Sequence, residues 1–142
     1  MNFSEHLNDL KTAIEATALP PKVDYFSGEM KEEDLKQMKF DGKSTYIFLG
    51  CRGGLFVPDS HRLEVDTVFG AYIITKETGN HNFSAMNEAT NLAKLISKFR
   101  GNVKINTKLP VVQYIEELSY GGRNGSNYSV WAIVWEQRMA LV

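Results

Sequence analysis

The sequence predicts an α+β fold, in which a mostly antiparallel sheet of about four strands is covered on one face by two main helices. Two segments repeat apolar residues at helical spacing, and four others are rich in β-branched and aromatic residues. The strand-like segments come in two pairs, and no helix separates the members of a pair. Such neighbours pair antiparallel, because a parallel pair needs a long crossover between its strands. The chain, 1–142, is predicted to be a single domain.

The first helix is predicted from an apolar stripe at spacings of four, three and four residues. Its members are Phe3, Leu7, Leu10 and Ile14. The helix ends at Leu19-Pro20-Pro21, because proline lacks a backbone donor and disfavours helix in the residue before it. Residues 22–30 are predicted to be mostly extended, and 31–38 to add one or two helical turns.

The first pair of strands is predicted at 44–51 and 62–77. Residues 44–51 form an almost continuous apolar run, which is typical of a strand covered on both faces. Arg52-Gly53-Gly54 is predicted to break this strand, and 55–61 to be irregular. In the longer strand, Gly70 indicates a β-bulge or the close approach of another backbone.

The second helix is predicted at 85–100. Ser84 caps its N-terminus, and Gly101 supplies the left-handed conformation that ends it. The stripe that this helix buries consists of Met86, Ala89, Leu92, Ala93, Ile96 and Phe99. The second pair of strands follows at 109–119 and 127–140, joined by a glycine-rich hairpin loop.

Composition and charge exclude several classes of protein. Hydrophobic residues make up 43% and charged residues 23% of the chain, which is typical of a folded domain and not of a disordered one. The net charge of −1 argues against a general nucleic-acid binder. The single cysteine fits a reducing compartment, and no apolar run reaches the ~18 residues of a membrane span. The N-terminus has no signal-peptide core, so the expected location is inside the cell.

Few residues form the patterns that catalysis or metal binding needs. The three histidines are His6, His61 and His81. They lie far apart and are predicted to be scattered over the surface rather than to bind a metal. Cys51 could be a nucleophile with Arg52 and His61 beside it, but a small hydrophobe ending a buried strand fits the pattern better. No enzyme activity, metal or cofactor is predicted.

The last strand has two unlike faces. Trp131, Ile133 and Trp135 point one way, whereas Val130, Ala132 and Val134 point the other way. The helices cover only one face of the sheet, which leaves two interpretations open. Either they cover the small residues and the tryptophan face meets a partner, or the tryptophan face is itself the core.

The chain resembles a known family in three features: the order of its elements, the helix 87–101 (NEATNLAKLISKFRG) and the strand pair that follows this helix. Over nearly its whole length, the chain resembles the Mu-like prophage tail proteins, which look like the tail-terminator proteins of long-tailed phages. Residues 22–61 are the part that matches nothing in that family.

The resemblance implies a small α+β protein that assembles into a hexameric ring. Such a ring caps the tail tube and offers a surface to the head-completion protein. The implied partners are further copies of the chain, the tail tube protein and the head-completion protein, with no membrane and no nucleic-acid contact beyond passage through the ring. The implied location is the cytoplasm of a bacterial host during assembly, and then the virion tail.

The resemblance implies no catalytic residues, but it implies an interface between subunits. The residues that we predict at a subunit or partner interface are Arg52, Phe56, Arg123, Trp131 and Trp135. Two other hypotheses stay open. One is a small-molecule-binding or catalytic α+β domain that uses Cys51, Arg52 and His61, and the other is a monomeric or dimeric adaptor, such as a secretion-apparatus component related to tails.

Overall fold

The chain forms an α+β fold, as predicted, and a computed structural model gives its elements. The residues it describes are 3–17, 20–28, 31, 33–34, 37, 45–76, 84–102, 104–118 and 128–141. Within them the elements are α1 (Phe3–Glu15), β1 (Lys22–Tyr25), β2 (Thr45–Phe56), β3 (Glu64–Lys76), α2 (Ser84–Lys98), β4 (Val111–Leu118) and β5 (Tyr128–Ala140). Half of the predicted turns at 31–38 and the whole of the predicted hairpin loop lie outside the described residues, and in the former Gln37 N–H donates to Glu33 O at 3.3 Å, as in a helical turn.

The described strands form one mixed sheet of five strands in the order β1-β2-β3-β5-β4. All neighbours pair antiparallel except β1, which runs parallel to β2. The prediction of a mostly antiparallel sheet of about four strands is therefore broadly right, but it misses the fifth strand, β1, and its parallel pairing. It missed β1 because four residues, Lys22–Tyr25, are too few to show a two-residue hydrophobic period.

Both helices pack on one face of the sheet, which we call the helix face. Its central residues are Ile47, Leu49, Phe69, Ala71, Ile73, Ile133 and Trp135, all buried in one cluster with the apolar stripes of α1 and α2. The ring of Phe69 stacks on Trp135 at 5.7 Å between centroids, and Phe3 of α1 meets Phe69 edge-on at 6.3 Å. Of the two interpretations of the last strand, the tryptophan face is thus the core.

The strand β2 does not break at Arg52-Gly53-Gly54, which corrects the sequence prediction. It continues to Phe56 by means of a β-bulge, since Cys51 pairs with Phe69 and Gly53 already pairs with Val68. Gly53 takes a positive φ of 91°, which glycine adopts without steric cost. The long partner strand β3 supplies pairing on both sides of the bulge, so local breakers do not end the strand.

The glycine at position 70 marks neither a bulge nor a tight approach, which is a second correction. Gly70 pairs regularly with Gly50 and Val134, and a Cβ there would lie 3.6 Å from Ile133 O, an ordinary contact. Close approaches occur instead at Gly50, where a Cβ would lie 2.6 Å from Phe26 O, and at Gly54, where it would meet Asp66 O.

The helix α2 begins at Ser84, and Gly101 has the predicted left-handed φ of 68°. Leu92 and Ile96 are buried as predicted, whereas Met86, in the first turn, is exposed. The opposite side of the sheet, which we call the outer face, carries an aromatic cluster at one end and an ion pair at the other. Asp66 and Arg138 form this pair, with 2.7 and 2.9 Å between guanidinium nitrogens and carboxylate oxygens.

Candidate functional site

A groove of about 560 Å³ crosses the middle of the outer face. Its floor consists of small residues on three neighbouring strands, Gly50, Gly70, Ala132 and Val134. Gly50, Gly70 and Val134 lie directly opposite one another in the sheet, so one row of the floor has no long side chain. Flat groups can therefore approach the sheet closely at this place.

Aromatic side chains stand beside this floor. The Phe26 ring meets Phe48 at 5.5 Å and Tyr72 at 6.0 Å, both edge-on. Phe26 N–H donates to Leu49 O at 3.0 Å, which fixes the segment after β1 against β2. The absence of a side chain on Gly50 makes this close packing possible. The groove thus has the apolar walls that are typical of binding sites.

Charged and polar residues reach the groove from its two sides. Arg52 lies in the bulge of β2, and Glu116 lies across the sheet on β4, with Tyr114 beside it. Both charged residues are exposed. The site therefore combines an apolar floor with opposite charges at its rim.

The three residues of the catalytic hypothesis are only partly brought together. Cys51 and Arg52 line the groove, whereas His61 lies in the exposed turn between β2 and β3 and does not line it. Burial raises the pKa of the Cys51 thiol, although Gly53 N–H, which approaches Sγ at 3.4 Å, lowers it in part. A raised pKa disfavours the thiolate that a nucleophilic cysteine needs.

The predicted interface residues differ in their accessibility. Arg52 is exposed and Phe56 is 63% exposed, near the end of β2. Trp131 is half-buried and packs against the core, while Trp135 is only 1% exposed. Trp135 is thus a core residue whose side chain a partner does not reach in this fold. Arg123 lies outside the described residues.

The edge strand β4 is a surface that the sequence analysis did not single out. Most of its residues are exposed, and among them are three large apolar side chains, Val111, Tyr114 and Ile115. Glu116 and Glu117 follow them and lie on opposite faces, because they pair with Ala132 and Trp131. Within the described part of the chain, no strand pairs with the outer side of β4. An edge of this length presents a row of free backbone donors and acceptors.

The other edge strand, β1, is shorter and more polar. Its Tyr25 N–H donates to the carboxylate of Asp24 at 2.8 Å, and the Tyr25 hydroxyl donates to Asn8 of α1 at 3.1 Å. The ammonium of Lys22 lies 5.1 Å from the ring centre of Tyr46 on the outer face. This edge is therefore basic at Lys22 and partly closed by its own side chains.

One buried histidine contradicts the prediction of surface histidines. His6 is 1% exposed, and Asn106 Nδ2 lies 3.2 Å from His6 Nδ1. Burial lowers the pKa of His6, and the charge of Asp9 opposes that effect. Position 6 lies three residues after Phe3 and so lies close to the apolar stripe of α1, which could have indicated that His6 is buried. Its partner, Asn106, lies a hundred residues away and could not be identified from the sequence. The pair ties α1 to the segment after α2.

The described residues contain no group of three or more His, Cys, Asp or Glu side chains placed to hold a metal ion. No helix among the described segments has the length and apolar character needed to cross a membrane. Comparison with protein-family models and with curated protein sequences finds no match to this chain.

Proposed function

We propose that this chain is a structural protein of a phage or prophage tail, which caps the tail tube as a hexameric ring and presents a surface to the head-completion protein. The observation that supports the proposal most is the long, exposed and partly apolar edge of β4. Proteins that remain single in solution shorten, charge or cover such edges, whereas an assembling subunit uses them. The chain then acts in the bacterial cytoplasm during assembly and remains in the virion tail.

A ring also requires enough apolar surface at each contact. A standard interface buries roughly 800 Å² on each partner around an apolar centre. Besides β4, the end of the β2–β3 hairpin exposes Leu55, Phe56 and Leu63. A ring uses two different surfaces of each subunit, and we propose β4 as one of them, while the exposed residues of this hairpin add apolar area.

The proposal is tested by disrupting the gene in a strain that makes the tails. Without a cap, tubes should be longer than normal and heads should remain unjoined when the particles are measured by electron microscopy. A plasmid copy of the gene should restore length and joining. Particles of normal length with joined heads would contradict the proposal.

The groove favours a second candidate function, the binding of a small aromatic molecule. Its volume and aromatic walls fall within the range of ligand sites. A ligand present at about a hundred times its Kd should raise the free energy of unfolding by about 2.7 kcal/mol. Screening aromatic compounds by thermal unfolding tests this, with Gly70→Leu as the control that fills the floor. A shift that persists in Gly70→Leu would place the ligand elsewhere.

A further inference from the structure

The two edges of the sheet have the directions that an extended sheet across subunits needs. β1 is parallel to β2, and three antiparallel steps lead from β2 through β3 and β5 to β4. β4 therefore runs opposite to β1. When copies are related by rotation about an axis along the strands, β4 of one copy meets β1 of the next as an antiparallel pair. Antiparallel pairs are slightly more stable per residue than parallel ones.

The side chains of the two edges match in one register. Glu116 lies on the outer face, since it pairs with Ala132, and Lys22 lies on the same face, since it pairs with Tyr46. Placing these two residues opposite each other sets a carboxylate against an ammonium.

The next positions agree with this register. Ile115 then faces Val23 on the helix face, and Tyr114 faces Asp24 on the outer face. The four residues of β1 end where the β4 ladder has its own irregularity, between Val112 and Tyr114. Three residues of β1 therefore face the regular part of β4, and Tyr25 falls opposite Gln113, which the β4–β5 register skips.

We propose that β4 of one copy pairs antiparallel with β1 of the next copy, with Glu116 opposite Lys22. This inference rests on the ring assembly proposed above and assigns its contact. The Tyr25 N–H points away from β2, because the N–H of the next residue, Phe26, donates to β2. In the free chain this N–H is held by Asp24, so pairing exchanges an internal hydrogen bond for one between subunits.

A contact between two β4 strands fits less well. It would bring Glu116 and Glu117 of both copies to the same edge, where like charges oppose association. A contact between two β1 strands would leave the longer, eight-residue edge of β4 unpaired. Charge complementarity thus favours the β4–β1 contact over the β4–β4 contact.

Disulfide cross-linking tests the register directly. In a Cys51→Ser background, Lys22→Cys with Glu116→Cys should form a ladder of covalent multimers on mild oxidation, because opposed Cβ atoms lie about 4.5–5.5 Å apart. The matched control is Lys22→Cys with Glu117→Cys, whose thiols would lie on opposite faces and should remain unlinked. Equal linking in both pairs would overturn the inference.

The mass of the unmodified particle separates this inference from the proposed function. Rings without cross-linking of the Lys22 and Glu116 pair would overturn the register and leave the ring intact. A chain that stays monomeric would overturn both. If Glu116→Cys alone formed disulfide-linked dimers efficiently, β4 of one copy would pair with β4 of another. That result would also overturn the inference.

Charge reversal gives an independent test that needs no cysteine. Glu116→Lys or Lys22→Glu should each weaken association about tenfold, because each sets like charges opposite one another. The double reversal should restore it to within about twofold, whereas Glu117→Lys with Lys22→Glu should not. Restoration by both doubles, or by neither, would contradict the pairing. Urea unfolding of each variant confirms that it folds.

Discussion

Adding one methyl group at Gly50 should destabilise the chain, whereas the same change at Gly70 should not. These glycines are direct cross-strand partners on the groove floor. A Cβ on Gly50 would lie 2.6 Å from Phe26 O, well inside the 3.4 Å at which ordinary contact begins. Phe26 has little freedom to retreat, because its N–H donates to Leu49 O.

We expect Gly50→Ala to cost about 1–3 kcal/mol, as overpacking usually does. Gly70→Ala meets only a 3.6 Å contact, and should stabilise by up to about 1 kcal/mol by restricting the unfolded chain. Urea unfolding at a constant m-value measures both changes. Equal effects of the two substitutions would show that Phe26 does not pack against Gly50 as described.

Three further predictions concern the core, the buried histidine and the cysteine. Burial lowers the pKa of His6 in the folded chain below its ordinary value of 6.5. Below about pH 6.5 the unfolded chain therefore binds more protons than the folded chain, so the free energy of unfolding should decrease as the pH falls. His6→Leu should remove that decrease in urea titrations, and the exposed control His61→Gln should keep it. Ile96→Ala should cost about 2–5 kcal/mol, against less than about 0.5 kcal/mol for the exposed Ser97→Ala, and an unchanged melting temperature would contradict the core assignment. Cys51→Ser should leave folding and ring formation unchanged by circular dichroism and particle mass, and a loss of turnover on any substrate would instead favour catalysis.

Local patterns were sufficient for much of the fold. The buried positions Ala89, Leu92 and Ile96 of α2 and the left-handed Gly101 were predicted correctly, because they depend on residues close in sequence, whereas Met86 was not. The alternation of β5 was also predicted, but which of its faces is the core was left open. That choice depends on where both helices pack, which the sequence of one strand does not show. The structure decides it, because the ring of Trp135 stacks on that of Phe69 in the core.

The candidate site was less predictable for the same physical reason. The groove floor depends on the register that brings Gly50, Gly70 and Val134 into one row, and register cannot be deduced from one strand. The contact of His6 with Asn106 joins residues a hundred positions apart. Arg52 was singled out as a neighbour of Cys51 and as an interface residue, and it lies at the groove. The exposed edge of β4 was missed because its apolar residues resemble those of a covered strand.

The mass of the particle that the purified chain forms at micromolar concentration tests the central claim most directly. Native mass spectrometry should find six copies, and electron microscopy of the same sample should show closed rings. Glu116→Lys should shift the population toward smaller species at the same concentration. A single-copy mass at every concentration up to the solubility limit would contradict ring assembly through the sheet edges.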